Sequence, residues 1–221
     1  MKLAGVDEAG KGAVLGSLFV AGVCIDSSGL KHLERMGLKD SKALSAKRRE
    51  FLSKRIEKIC AVQLLEITAQ QIDELRTVLT INDILVKGHA QTLRFLKPDI
   101  AFVDAADVDA SRFSERVSEA SGISTVIAEH NADANYAVVS AASIVAKVSR
   151  DASIKALECS LGTEVGSGYP SDATTISFLK EWVSFRGDLP PETRRSWKTA
   201  QNLLSAAAGE THEGRTHSRN N

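Results

Sequence analysis

The pattern of apolar and polar positions divides the chain into strands and helices in a mixed order. Short apolar runs rich in Val, Ile and Phe are typical of buried strands, whereas apolar residues that recur every three or four positions are typical of helices. The predicted strands are residues 2–7, 15–25, 61–68, 99–104 and 124–128. The predicted helices are residues 46–59, 70–75, 81–96, 109–120, 133–154, 173–185 and 199–207. This order predicts an α/β fold in which helices cover a mixed sheet and a helical part follows at the C-terminus.

Two of these elements are predicted to lie deep in the core. Residues 15–25 form a nearly continuous apolar run, which is typical of a strand buried on both faces. Residues 133–154 are apolar almost all round the helix before Lys147, so we expect that helix to be buried as well. Its many Ala and Ser residues would allow a close approach to the sheet.

Length and composition indicate one large domain with additions at its C-terminal side. We expect the main domain over residues 1–170, a helical part over residues 171–207 and a disordered tail over residues 208–221, since residues 210–221 contain no apolar side chain. Lys plus Arg and Asp plus Glu both number 28, so net charge is neutral and favours no class of partner.

Cysteine usage and hydropathy bound the environment of the protein. The three cysteines, Cys24, Cys60 and Cys159, are far apart and form no CxxC pair, which predicts buried thiols rather than a zinc site or disulfides. No apolar stretch near the N-terminus approaches the length of a membrane span, and we find no signal peptide. We therefore expect a soluble, cytoplasmic protein without a membrane segment.

Four acidic residues stand at the ends of predicted elements. Asp7 and Glu8 end the first strand, Asp104 ends the fourth, and Asp133 begins the long helix. If the first and fourth strands are neighbours, these carboxylates converge, and their mutual repulsion requires a counter-charge. Mg²⁺ and Mn²⁺ prefer oxygen ligands, and two such ions can promote phosphodiester cleavage. Each acid taken alone could equally be an ordinary strand-end or helix-cap residue.

Two short polar segments are candidates for phosphate contacts. Gly10-Lys11-Gly12 follows the first acids, and its glycines would let main-chain N–H groups reach a phosphate or sugar hydroxyl while Lys11 neutralises charge. It is not a Walker loop, and it could also be a plain turn. Ser41 and Lys42 precede the first long helix and suit a phosphate contact, although a simple polar loop is the alternative.

Later segments add an aromatic and several charges. Tyr169 lies in a Gly-Ser-Gly-Tyr-Pro loop, where an exposed ring would be useful for stacking on a sugar or base. Residues 194–198 combine charge with an aromatic, so they could grip a nucleic-acid backbone or form a surface turn anchored by Trp197. Lys147 and Arg150 are expected mainly to form structural ion pairs.

The motifs together resemble one known family, the type 2 ribonucleases H (ribonuclease HII), in their archaeal branch. The matching segments keep the family's order and span most of residues 3–198: Val6 to Gly12, Leu38 to Leu44, Phe102 to Ala105, Ala132 to Tyr136, Ala141 to Asp151 and Gly166 to Asp172. This resemblance implies a ribonuclease H-like mixed five-stranded sheet flanked by helices. It also implies endonucleolytic cleavage of RNA in RNA–DNA hybrids and at single ribonucleotides in duplex DNA, leaving 5′-phosphate and 3′-hydroxyl ends.

The resemblance also assigns roles to residues. It implies that Asp7, Glu8, Asp104 and Asp133 are the catalytic acids that bind metal, Mg²⁺ or Mn²⁺, two ions per site during catalysis. It implies that Gly10, Lys11 and Gly12 read the ribose 2′-hydroxyl, the group that separates RNA from DNA, and that Tyr169 stacks on the next deoxyribose. With the phosphate contact that the sequence suggests for Ser41 and Lys42, the expected substrate-binding residues are Gly10, Lys11, Gly12, Ser41, Lys42 and Tyr169.

Some features depart from the family pattern or leave alternatives open. Lys11 replaces the commoner Arg, so a main-chain readout survives but a bidentate guanidinium contact does not. No glutamine followed by paired aromatics occurs after Gln201, so we do not expect binding to a sliding clamp, and we expect a monomer. The rival interpretations are an integrase or resolvase-like nuclease of the same fold and a non-catalytic module that binds hybrids.

Overall fold

Strands and helices follow one another in the order that the sequence predicts, with one further short α-helix, Leu30–Glu34, that the sequence analysis does not predict. The computed structural model describes residues 1–38 and 44–216, with side chains through residue 208. The strands are β1 (Lys2–Ala9), β2 (Leu18–Asp26), β3 (Ala61–Ile67), β4 (Ile100–Asp104) and β5 (Val126–Glu129). The helices are α1 (Leu30–Glu34), α2 (Ala46–Ile59), α3 (Ala69–Arg76), α4 (Ile81–Leu96), α5 (Ala110–Ser121), α6 (Ala132–Asn135), α7 (Ala137–Leu161), α8 (Ala173–Arg186) and α9 (Lys198–Thr216).

The five strands form one mixed sheet with β1 at its centre. Their order across the sheet is β3-β2-β1-β4-β5. β1 pairs antiparallel with β2 and parallel with β4, and β4 pairs parallel with β5. Parallel neighbours end at the same edge of a sheet, so the carboxyl ends of β1, β4 and β5 lie side by side. The predicted fold class, a mixed five-stranded sheet flanked by helices, is confirmed.

The chain divides into two compact units. The first comprises residues 1–11, 18–66 and 78–151 and contains the sheet. Eight of the nine residues of β2 are buried, as the apolar run predicts. On one face of the sheet Ala21, Val23 and Ile25 belong to the same apolar core as residues of α7, and on the other face Val20 and Gly22 meet α4. A side chain at Gly5 would come 2.2 Å from the backbone of Val138. Because glycine has no side chain, α7 can approach the middle of β1 this closely.

The second unit comprises residues 12–17, 67–77 and those from residue 152 onward. Its own apolar core joins α8 and α9 to Val14, Leu15 and Val165. Arg194 is fully buried there, its Nε donates to the Gly16 carbonyl at 3.0 Å, and its guanidinium lies 5.1 Å from the Trp197 ring centre. Arg194 is therefore part of the fold, which agrees with a turn anchored by Trp197. Arg195 and Lys198 are exposed, so a nucleic-acid contact by this segment stays a prediction.

Several predicted boundaries move. Strand β2 begins at Leu18 rather than residue 15, because Leu15 instead forms an isolated bridge with Thr193 inside the second unit. The predicted helix 133–154 is interrupted at Tyr136, whose backbone is extended, so it becomes α6 and α7. The last helix reaches Thr216 instead of ending near residue 207.

The three cysteines differ in how deeply they are buried. Cys24 is buried and Cys60 half-buried, and burial raises the pKa of the Cys60 thiol to about 11. The prediction of a buried thiol is wrong for Cys159, which is exposed near the end of α7. Across the described residues, every helix is too short or too polar to cross a bilayer. The predicted division at residues 170 and 207 stays a prediction.

Candidate active site

The first two acids stand where β1 ends and point to opposite faces of the sheet. Asp7 is only 6% exposed, and it accepts hydrogen bonds from the Ser143 hydroxyl of α7 and from the Glu8 amide, the latter at 2.7 Å. Glu8 is half-buried and faces α4 instead. Successive side chains on a strand point to opposite faces, so Asp7 contacts α7 on one face of the sheet and Glu8 contacts α4 on the other.

Asp104 lies beside this pair because β4 is the parallel neighbour of β1. Val6 pairs with Val103 in the register, which places the residues that follow them at the same sheet edge. Burial and the charges of Glu8 and Asp133 raise the pKa of Asp104 above its usual range, against the effect of a hydrogen bond from the Ala132 amide at 2.8 Å. All four predicted acids therefore belong to one electrostatic group within the first unit.

Within this group of acids, Asp7 has a strongly raised pKa. Burial, and then repulsion by Glu8 and Asp104, raises the pKa of Asp7 from 3.8 to about 8, although the bonds from Ser143 and Glu8 oppose the shift. A buried carboxylate next to two others holds its proton unless positive charge arrives. Within the described part of the chain, no three acid, histidine or cysteine side chains form a preassembled metal-binding cluster.

Asp133 is positioned by a network around α6. Helix α6 begins after Asn131, whose φ of 58° is left-handed and turns the chain sharply after β5. Glu129 accepts hydrogen bonds from the Tyr136 hydroxyl at 2.5 Å and from the Asn135 amide at 3.0 Å. The Tyr136 ring in turn stacks on Phe102 of β4 at 4.3 Å between ring centres. These contacts hold the residues that flank Asp133 and link α6 to β4 and β5.

His89 contacts the site and was missed by the sequence reasoning. It is fully buried on α4, its Nε2 lies 3.2 Å from Glu8 Oε2, and its ring meets Phe113 edge to face at 5.2 Å. Nδ1 has no hydrogen-bond partner among the described residues. The tautomer with the proton on Nε2 therefore fits, since it donates to the carboxylate and leaves the bare nitrogen in the apolar core. The available signal was a histidine inside the apolar stripe of a helix, in line with Leu85 and Leu93.

The Gly-Lys-Gly turn is tied to the segment after β4. Gly10 has a φ of 91°, a conformation that favours glycine, and Lys11 donates its ammonium to the Ala106 carbonyl. The same segment is held by Asp107, which is buried and forms an ion pair with Arg112 at 2.5 Å. Lys11 thus has a structural contact within the first unit, which the phosphate interpretation of the sequence did not include.

Two other predicted substrate residues belong to the second unit. Gly12 is exposed, and a side chain there would lie 4.0 Å from the Tyr169 ring. The Tyr169 loop is held from both ends: Val14 N–H donates to the Gly168 carbonyl at 2.8 Å, and Asp172 Oδ2 accepts from the Ser167 amide at 2.6 Å. Tyr169 itself is half-buried, so part of its ring stays open to a ligand.

Two other polar residues, Lys147 and His130, differ in their surroundings, and Ser41 and Lys42 lie outside the described residues. Lys147 donates to Ser143 at 2.5 Å, which places it one turn from the Asp7 contact on α7. His130 is exposed, and its Nε2 lies 3.2 Å from the Val108 carbonyl.

Comparisons with known proteins agree with this architecture. Ribonuclease HII of Methanothrix thermoacetophila is 52% identical over 209 residues, covering 94% of this chain and 99% of that protein. The crystal structure of ribonuclease H2 from Pyrococcus horikoshii OT3 matches with a TM-score of 0.88 at 41% identity, over 94% of this chain and 99% of that one. The PCNA:RNase HII complex from Archaeoglobus fulgidus matches with a TM-score of 0.85 at 45% identity, over 91% and 96% of the two chains.

The similarity extends through both units. The family model described as ribonuclease HII matches residues 4–200, a span that begins within β1 and ends in the first turn of α9. It therefore includes all four acids, the Gly-Lys-Gly turn and the Tyr169 loop. This chain belongs to the ribonuclease HII family of ribonucleases H.

Proposed function

We propose that this ribonuclease H hydrolyses the RNA strand of RNA–DNA hybrids and cuts at single ribonucleotides embedded in duplex DNA, leaving 5′-phosphate and 3′-hydroxyl ends. Endonucleolytic cleavage of RNA in hybrids is the general activity of the family. The observation that carries the proposal is the electrostatic group of Asp7, Glu8, Asp104 and Asp133 at the carboxyl ends of β1 and β4. A divalent cation would supply the positive charge that offsets the mutual repulsion of these carboxylates.

The acid group fits divalent cations by its chemistry. It offers carboxylate oxygens alone, the donors that Mg²⁺ and Mn²⁺ prefer, and the pKa of Asp7 is raised by its burial and then by the neighbouring charges of Glu8 and Asp104. When bound, two such ions would supply the positive charge that activates a water and stabilises the leaving 3′-oxygen. Asp7 and Asp104 would anchor the ions from adjacent strands, while Glu8 from β1 and Asp133 from α6 complete the set.

Selectivity for RNA would come from the turn and loop residues. Gly10, Lys11 and Gly12 would present main-chain groups to the ribose 2′-hydroxyl, which both donates and accepts hydrogen bonds. In this interpretation, Lys11 contributes by holding the turn to Ala106. Tyr169, whose loop is fixed through Gly168 and Asp172, would stack on the sugar that follows the ribonucleotide. Ser41 and Lys42 are proposed to contact a phosphate.

The wider predictions stay as proposals. The complex with PCNA is a property of the Archaeoglobus fulgidus relative. In this chain, the prediction that no sliding clamp binds rests on the sequence after Gln201 and now stands against that example. Action as a monomer in the cytoplasm is likewise a proposal.

Replacing the anchoring acids should abolish cleavage. We expect Asp7→Asn and Asp104→Asn to lower the cleavage rate by ~100-fold or more, because each removes several kcal/mol of charge stabilisation. The assay maps products from an RNA–DNA hybrid and from a duplex with one ribonucleotide, with Mg²⁺ and with Mn²⁺. Rates near wild type in either variant would contradict the assignment. Cleavage that ignores the 2′-hydroxyl would favour a resolvase-like nuclease, and binding without cleavage would favour a hybrid-binding module.

The buried Asp7 should also make stability depend on pH in the absence of divalent cations. An acid whose folded pKa is raised stabilises the fold fully below its unfolded pKa, and this contribution is lost as the pH rises towards the folded pKa. With values of 3.8 and about 8, wild type should lose stability between pH 4 and 8 relative to Asp7→Asn, on the order of a few kcal/mol. Denaturant unfolding in EDTA measures this, with the exposed Glu34→Gln as control. Parallel curves for wild type and Asp7→Asn would refute the burial argument.

His89 should act by orienting Glu8. Removing the donor in His89→Leu should raise the metal concentration for half-maximal cleavage by about 10- to 100-fold, the usual effect of losing a group that orients a ligand. His89→Gln, which keeps an N–H donor, should recover part of this loss. Thr92→Val, one turn along the same buried face of α4, is the matched control. An equal metal requirement in wild type and His89→Leu would show that the contact is only structural.

Tyr169 should matter most at the junction between RNA and DNA. Loss of stacking is worth about 1–3 kcal/mol, so Tyr169→Ala should cut a single-ribonucleotide duplex roughly 5- to 150-fold more slowly. Tyr169→Phe keeps the ring and should stay close to wild type. The comparison uses single-turnover rates on the same duplex, and unchanged rates for Tyr169→Ala would remove this residue from the substrate site.

A further inference from the structure

Helix α2 concentrates positive charge in a protein that is neutral as a whole. Its 14 residues hold six of the 28 basic residues and only two acidic ones. One of the six, Arg49, is committed to the fold, since it donates to Asp151 at 2.9 Å and to the Leu44 carbonyl at 2.7 Å. The other five basic residues are exposed.

These five cations occupy a single face. At 3.6 residues per turn they fall, together with Phe51, within an arc of roughly 120°. The opposite face carries Leu52 and Ile56, which are fully buried, and both glutamates flank one edge of the arc. We call this surface the α2 basic stripe; its members are Lys47, Arg48, Phe51, Lys54, Arg55 and Lys58.

Within residues 1–38 and 44–208, no acidic side chain pairs with the five cations of the stripe. Phe51 stays 48% exposed, and the guanidiniums of Arg48 and Arg55 lie 5.3 and 5.8 Å from its ring centre. Cation–π contacts with the ring therefore keep both guanidiniums on the exposed face of α2. Like charges kept adjacent and open to solvent favour a polyanionic partner.

The place where α2 is anchored on α7 indicates which polyanion would bind the stripe. Ser143 of α7 bonds to Asp7, and Asp151, eight residues or about 12 Å along the same helix, holds Arg49 of α2. At about 3.4 Å per nucleotide, 12 Å corresponds to three or four base pairs. Lys47 and Lys58 are themselves separated by about 16 Å along the α2 axis, enough to face several phosphates. Helix α2 is therefore anchored to α7 at a point away from the acids, and the stripe lies on the face of α2 opposite Arg49, so we place it beside the duplex that flanks the cleaved nucleotide.

We propose that the α2 basic stripe binds the sugar–phosphate backbone of the substrate duplex three or more base pairs away from the cleaved bond. The inference rests on the proposed function, because it takes the partner to be that same duplex. Contacts of this kind add affinity without sequence preference, and they weaken steeply as salt rises because bound counterions are released. An acidic protein or an anionic membrane would need no such spacing from the acids.

The test removes the lysines and leaves the arginines on Phe51 in place. Lys47→Gln/Lys54→Gln/Lys58→Gln is compared with wild type and with Lys31→Gln/Lys87→Gln/Lys180→Gln, which removes the same charge from exposed positions elsewhere. Binding is measured in EDTA, so that no cleavage occurs, to duplexes containing one ribonucleotide with flanks of roughly 3 or 15 base pairs. Far-ultraviolet circular dichroism checks that each variant is folded.

For the long duplex, the stripe variant should bind about 10-fold or more weakly, and the slope of log K against log salt should fall by about 2 to 3. The short duplex and the control variant should show little change. Equal salt slopes for all three proteins, or an equal loss on short and long duplexes, would overturn the proposal. So would binding of the wild type to anionic vesicles that the stripe variant loses while its duplex affinity is kept. Wild type that binds the long duplex through the stripe but cleaves no ribonucleotide would refute the proposed function alone.

Discussion

The burial of one carboxylate beside three others is the constraint on which the rest of the structure depends. Asp7 is held in the interior with Glu8 and Asp104 as neighbours, and its pKa is raised first by burial and then by the charges of these two acids. Glu8, Asp104 and Asp133 are only partly buried, so solvent screens their charges more than it screens Asp7. The fold must therefore hold the acids in place against their own electrostatics, and it stores there the negative potential that a divalent cation needs.

Each acid is held by a different part of the scaffold, which spreads this burden. Ser143 on α7 bonds to Asp7, His89 on α4 bonds to Glu8, and the Ala132 amide bonds to Asp104. Gly5 makes the first of these possible, because α7 could not lie so close to β1 if that position carried a side chain. Central strand, flanking helices and site are thus one packing problem, in which a glycine two residues before the acids sets the position of a helix.

Charge is sorted over the molecule although its sum is zero. Negative charge is gathered at the carboxyl ends of β1 and β4, whereas the α2 basic stripe gathers positive charge on an exposed helix face. Other basic residues form structural contacts: Arg194 donates a hydrogen bond to the Gly16 carbonyl, and Lys11 donates one to the Ala106 carbonyl. A neutral total therefore conceals a partly buried acidic group and an exposed basic helix face.

The sequence by itself determined the strands, most helices and the placement of four acids at element ends, because these follow from local periodicity and from residues a few positions apart. It also showed that the Gly-Lys-Gly turn and the Tyr169 loop are unusual. Only the tertiary structure decided that β4 lies beside β1, that His89 reaches Glu8 across 81 residues, and that Tyr136 breaks the long helix to bond Glu129. The burial that shifts the Asp7 pKa is likewise a product of packing. Such contacts join residues far apart in the chain, and no local pattern specifies which distant side chain will be the partner.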